Sequence, residues 1–150
     1  MSLEILINTD IKAAMIARDK RKLEALRSIK AALLLIKTGK DTQFAEVPKE
    51  LELKTLQKLI KQRKESAQMY KDQNRTDSYD EEVYQAGIIE AYLPTQMSEE
   101  EIEQVVIDII NQTGASSMKD MGKVMGMASK QLAGKADNSL VSKFVKSKLA

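Results

Sequence analysis

Apolar residues recur along this chain at spacings of three and four and do not alternate, so the pattern predicts helices throughout and no strand. The expected fold class is all-α. A first helix carries Leu3, Leu6, Ile7, Ile11, Ala14 and Met15 behind Ser2 as its cap, and the cluster Arg18 to Lys22 is expected to hold a break. A second helix with Leu23, Leu26, Ile29, Leu33 and Ile36 should end before Gly39, a residue that accepts positive φ. Residues 39 to 47 read as a loop. Pro48 fits the first turn of a long third helix over about 48 to 73, where a missing N–H costs nothing. Asn74 to Thr76 reads as a turn, and a fourth helix starts near Asp77 with Asp80, Glu81 and Glu82 close to its positive dipole end.

Pro94 ends the fourth helix, because the residue before a proline is pushed out of the α region. It marks the expected division into 1–94, a region of long helical hairpins, and 95–150, a small helical bundle. In the second part Ser98 and Glu101 have capping-box spacing ahead of Ile102, Val105, Val106, Ile109 and Ile110, a helix that runs to Gly114. Three short helices should follow. The first begins at Ser116 or Ser117, the second runs through Val124 to Leu132 and is closed by Gly134, and the third is capped by Asp137 and holds Leu140, Val141, Phe144, Val145 and Leu149.

Composition removes most familiar chemistry. The 150 residues include no Cys and no His, which excludes disulfides, Cys/His zinc sites, thiol nucleophiles and Ser-His-Asp triads. No apolar run reaches the roughly 18 residues of a membrane span, and no basic-then-apolar leader opens the chain. A cytoplasmic protein with no membrane partner is expected. The formal charge of +2 conceals a strong asymmetry. Residues 1–76 hold 17 Lys/Arg against 10 Asp/Glu, residues 77–118 hold 10 acids and no base, and residues 119–150 hold 7 Lys against 2 Asp. Surfaces of opposite sign imply different partners.

Candidate chemistry is sparse. Arg63 falls within the apolar face formed by Leu56, Leu59, Ile60, Ala67 and Tyr70, and reads first as a structural guanidinium, second as an anchor for phosphate or carboxylate. Lys54, Lys58 and Lys61 line the opposite, solvated side. Asp80, Glu81 and Glu82, or Glu99 with Glu103, could be imagined around a metal, but consecutive helical residues fan apart, and no metal or cofactor is expected. Ser116 and Ser117 near Lys119 and Lys123 form a serine–lysine pairing that reads better as a helix cap than as a nucleophile, so no catalytic residue is assigned. Met118, Met121, Met125 and Met127 read as core. Gly122 and Gly126, four apart on one side, permit close approach by a helix or a nucleic-acid backbone, amid Lys119, Lys123, Lys130, Lys135, Lys143, Lys146 and Lys148. The few aromatic residues argue against a base-stacking platform.

Taken in order, Lys61-Gln62-Arg63, Tyr92-Leu93-Pro94-Thr95-Gln96-Met97-Ser98, Gly114-Ala115-Ser116, Asp120-Met121-Gly122-Lys123-Val124-Met125 and Gly134-Lys135-Ala136-Asp137 followed by Leu140-Val141 resemble the YqeY-like family over essentially the whole chain. Gly122 to Met125 and Gly134 to Asp137 also resemble the tail domain of the B subunit of glutamine-dependent aminoacyl-tRNA amidotransferase. The resemblance implies a two-part all-α fold with a C-terminal domain related to a tRNA-contacting tail. It further implies that a carbon–nitrogen ligase label, with glutamine as amido-N donor, would rest on that tail, since the kinase and glutaminase parts of such enzymes lie elsewhere. Gly122, Lys123, Gly134 and Lys135 are carried over as nucleic-acid-facing candidates, with Lys119, Lys130, Lys143 and Lys146 added from charge. The expected partners are tRNA and an aminoacyl-tRNA-processing enzyme. The competing readings are a protein-interaction module, in which the acidic fourth and fifth helices dock a basic partner, and an amide-transferring enzyme.

Overall fold

The computed structural model describes residues 2–39 and 46–150. Among them the chain forms seven α-helices, one 3-10 turn and no strand. It divides into two compact units, Met1–Leu93 and Pro94–Ala150.

The first unit holds α1 (Leu3–Ile16), α2 (Lys20–Thr38), α3 (Lys49–Asp72) and α4 (Thr76–Glu90). Ser2 caps α1 by accepting from the Ile5 N–H at 3.4 Å. The expected break falls at residues 17–19 and has a local cause. Arg18 turns left-handed (φ 56), the Asp19 N–H reaches back to the Ala14 carbonyl at 3.0 Å, and the Asp19 carboxylate then caps α2 by accepting from the Lys22 N–H at 3.1 Å. The end of α3 repeats this device: Asn74 is left-handed (φ 58) and the Arg75 N–H returns to the Tyr70 carbonyl at 2.8 Å. Thr76, expected in the turn, already belongs to α4. Gly39 is a correction, since it leaves α2 in an extended conformation (φ −62, ψ 146) and uses no positive φ. Most of the expected 39–47 loop lies outside the described residues. Pro48 stands one position before α3, at φ −59, and serves the same end because it brings no N–H to satisfy.

The core of this unit is aliphatic. Ile7, Leu26, Ile29, Leu56 and Ile89 are at most 1% exposed and form one cluster with Leu33 and Ile60. Leu6 and Met15, expected on the buried face of α1, are exposed instead. At 100° per residue, α1 is apolar around most of its circumference, and only the sector of Leu3, Ile7 and Ala14 turns inward.

The second unit holds α5 (Glu99–Thr113), a 3-10 turn (Met118–Asp120), α6 (Met121–Gln131) and α7 (Asn138–Leu149). Ser98 accepts from the Glu101 N–H at 3.2 Å and Gly114 closes α5 at φ 67, as the capping pattern requires. Asp137 caps α7 through the Ser139 N–H at 2.9 Å. Ile102, Val106, Ile109, Val124, Ala128, Val141 and Val145 fill the interior. Of the four methionines read as core, Met121 and Met125 pack against it, whereas Met118 and Met127 face solvent.

Candidate nucleic-acid interface

The lysines of the second unit are all exposed. Lys148 is engaged, its Nζ 2.9 Å from Glu103. Lys119, Lys123, Lys130, Lys135, Lys143 and Lys146 have no carboxylate partner among the described residues. Lys123 and Lys130 are seven residues apart, so they share one side of α6, and Gly126 lies on the same side between them. A side chain built at Gly122 or Gly126 would meet nothing within 4 Å. Both glycines therefore open onto solvent and do not serve packing inside the unit. Lys119 precedes this face in the 3-10 turn and Lys135 follows it in the turn before α7, while Lys143 and Lys146 project from α7 itself.

Gly134 behaves differently from the other carried-over positions. It is buried and left-handed (φ 74), so it shapes the turn and offers no surface to a ligand. A residue not singled out from the sequence holds that turn. The Gln96 amide donates to the Pro94 carbonyl at 2.9 Å and to the Gly134 carbonyl at 2.7 Å, and the Met97 N–H donates to the Lys135 carbonyl at 2.9 Å. The segment entering the second unit is thus pinned to the turn that presents Lys135. Local sequence around Gln96 does not show this role because its partner Gly134 is 38 residues away, although Gln96 lies within the Pro94 to Ser98 motif.

The other imagined sites are bound up in structure. Arg63 Nε donates to the Gln85 carbonyl oxygen at 3.1 Å and its guanidinium reaches the Leu59 carbonyl at 3.4 Å. Gln85, only 7% exposed, passes its amide to Glu81 at 3.3 Å, and Glu81 accepts from Arg21 Nε at 2.9 Å, whose guanidinium lies 3.9 Å above the Tyr84 ring. This chain ties α2, α3 and α4 together. Ser117 precedes the 3-10 turn without the expected side-chain cap, and the Asp120 carboxylate instead accepts from the Ser116 N–H at 3.0 Å. Among the described residues no serine–lysine hydrogen bond forms, and no three acidic groups converge as metal ligands would. No helix among them is long and apolar enough to cross a membrane.

The described residues thus define an all-α protein whose second unit presents exposed lysines and two unobstructed glycines. The family model of Yqey-like proteins matches residues 5–149, and the chain belongs to that family. It is 34% identical over 129 residues, 81% of this chain, to "Altered inheritance of mitochondria protein 41, mitochondrial" of Meyerozyma guilliermondii, and 32% identical over 112 residues, 73% of this chain, to the protein of that name in Clavispora lusitaniae. It spans 64% of each of these relatives. A segment of 56 residues, 35% of the chain, is 45% identical to 9% of a glutamyl-tRNA(Gln) amidotransferase subunit of Methanobrevibacter smithii.

Proposed function

We propose that this protein binds tRNA, or a tRNA amidotransferase and its tRNA, through the lysine-bearing surface of its second unit, and carries out no chemistry of its own. The observation that carries this reading is the α6 face, where Lys123 and Lys130 flank a glycine with open space above it. Phosphate oxygens can approach the helix backbone there while the ammonium groups neutralise them. The likeness of a 56-residue segment to part of a tRNA amidotransferase supports the same choice of partner. Contacts of this kind read the shape and backbone of a folded RNA and not its base edges.

The test is binding of unfractionated tRNA by the wild type and by the double variant Lys123→Ala, Lys135→Ala, measured by filter retention or fluorescence anisotropy. The expected result is weaker binding by the variant and a salt dependence shallower by about one unit of slope per lysine removed. Equal affinity and equal slope would refute the assignment. A second reading rests on α4, where Val83 is 47% exposed beside Asp80 and Glu82, a face suited to a basic protein partner. Recovery of the same bound protein after nuclease treatment, lost on Val83→Asp, would favour it.

A further inference from the structure

Among the large hydrophobic side chains that stand exposed in the described residues, Met118 and Met127 are the two in the second unit, at 45% and 38% exposed. Both fall in the stretch that carries the open glycines and the unpaired lysines. Counted from Lys123 at 100° per residue, Lys130 lies about 20° away around α6, Met127 about 40° to one side and Gly126 about 60° to the other. The two lysines are about 10 Å apart along the axis, and Met127 and Gly126 fall between them. This side of α6 is therefore a short strip with an ammonium at each end and a thioether along one edge. Its other edge is bare helix backbone, since a Cβ at Gly122 or Gly126 would meet nothing within 4 Å.

We propose, resting on the assignment of this surface to RNA, that the strip holds one unstacked nucleoside of an RNA loop, with Met127 packed against its base and Lys123 and Lys130 on the phosphates to either side. Phosphate contacts account for the lysines but not for an exposed apolar side chain between them. The base is the part of a nucleotide that offers an aromatic surface, and a flexible, polarizable thioether suits it. Gly122 and Gly126 carry no side chain, so the sugar–phosphate chain can lie close to α6 while the base turns toward Met127.

A duplex does not satisfy the same strip. In an A-form helix each base is covered by its neighbours in the stack and the major groove is too narrow for side chains, so base faces are offered in loops, bulges and ends. One methionine takes one base, in keeping with the scarcity of aromatic residues for a longer stacking platform. Met118, in the 3-10 turn ahead of α6 and next to Lys119, adds a second exposed thioether to the same stretch.

Fluorescence anisotropy with unfractionated tRNA, with an RNA hairpin that has an unpaired loop, and with the blunt duplex of its stem tests the proposal. The wild type should bind the hairpin more tightly than the duplex. Met127→Ala should weaken binding of hairpin and tRNA by about three- to tenfold and leave the duplex unaffected, with the salt slope unchanged because no charge is removed. The side chain is exposed on a helix, so the melting temperature should not fall, and Met127→Leu, which keeps the apolar bulk, should restore most of the affinity. Peroxide oxidation read by peptide mass spectrometry gives a direct contact signal: bound hairpin should slow sulfoxide formation at Met127 relative to Met69, exposed in the first unit. Lysine-dependent tRNA binding that is indifferent to Met127→Ala, an equal loss on hairpin and duplex, or Met127 left unprotected would overturn the nucleoside contact while the lysine surface stands. Absence of RNA binding by the wild type would remove both.

Discussion

Single residues set the shape of this molecule at a few left-handed positions. Arg18 and Asn74 end α1 and α3 at φ 56 and 58, and Gly114 and Gly134 hold the corresponding positions in the second unit at φ 67 and 74. Glycine incurs no Cβ penalty there, so Gly114→Ala, which has open space around it, should cost about 1 kcal/mol from backbone strain alone, read as a lower urea midpoint. The reverse holds on α6. Gly122 and Gly126 are helical and unobstructed, so Gly126→Ala should raise stability by about 0.5–1 kcal/mol, while it weakens tRNA binding by placing a methyl where the phosphate backbone approaches. A variant that gains stability and keeps full affinity would show that the glycine serves no close approach. Gln96→Ala should speed amide hydrogen exchange at Gly134 and Lys135 and lower tRNA affinity with the salt slope unchanged, because it releases the turn without removing a charge. Tyr92 offers a pH readout. Its hydroxyl is pushed well above the usual tyrosine value of 10.0 by burial, and then by its hydrogen bond to Asp10 and that carboxylate's charge. A raised folded-state value stabilises the protonated form, so this contribution is fully present below pH 10 and is lost as pH rises beyond it. Wild-type stability is therefore expected to fall above pH 10 in denaturant titrations, and Tyr92→Phe should make that fall shallower.

At the scale of elements, what was legible in the sequence was what is decided locally. Ser98 with Glu101, Asp137 before Leu140, and Gly114 after an amphipathic run each carry their own hydrogen-bonding logic within four residues, and α5 and α7 lie where those signals put them. Gly39 shows the limit. The residue type permits a left-handed turn, but the chain leaves α2 extended, and nothing local distinguishes the two outcomes. Periodicity was ambiguous on α1, where Leu6 and Met15 satisfy helical spacing as well as Ile7 and Ala14 do, yet only tertiary packing decides which sector is covered. Met118 and Met127 repeat the lesson on a helix of only eleven residues and the turn ahead of it. Two features were out of reach for a related reason. Gln85 and Gln96 are ordinary polar residues in sequence, and their roles come from partners 22 and 38 positions away.

For the whole molecule, the near-neutral total conceals acidic and basic stretches of sequence that the structure uses differently. The lysines of residues 119–150 are exposed, and all but Lys148 lack an ionic partner among the described residues, which is the condition for binding an anion without first breaking an internal pair. In contrast, the charged and polar groups that join α2, α3 and α4 are consumed by one another, from Arg63 through Gln85 and Glu81 to Arg21. The first unit uses these groups to hold helices together and the second leaves its lysines at the surface. Yqey-like family membership and the likeness to part of a tRNA amidotransferase give that surface its proposed partner. The most direct measurement is the affinity of the wild-type protein for tRNA as a function of salt concentration. The account predicts a linear fall of log affinity with log salt, with a slope of roughly −3 to −5 set by the six unpaired lysines, against the shallower line of the Lys123→Ala, Lys135→Ala variant. No binding at low salt, or binding whose slope is near zero and is shared by the variant, would contradict it.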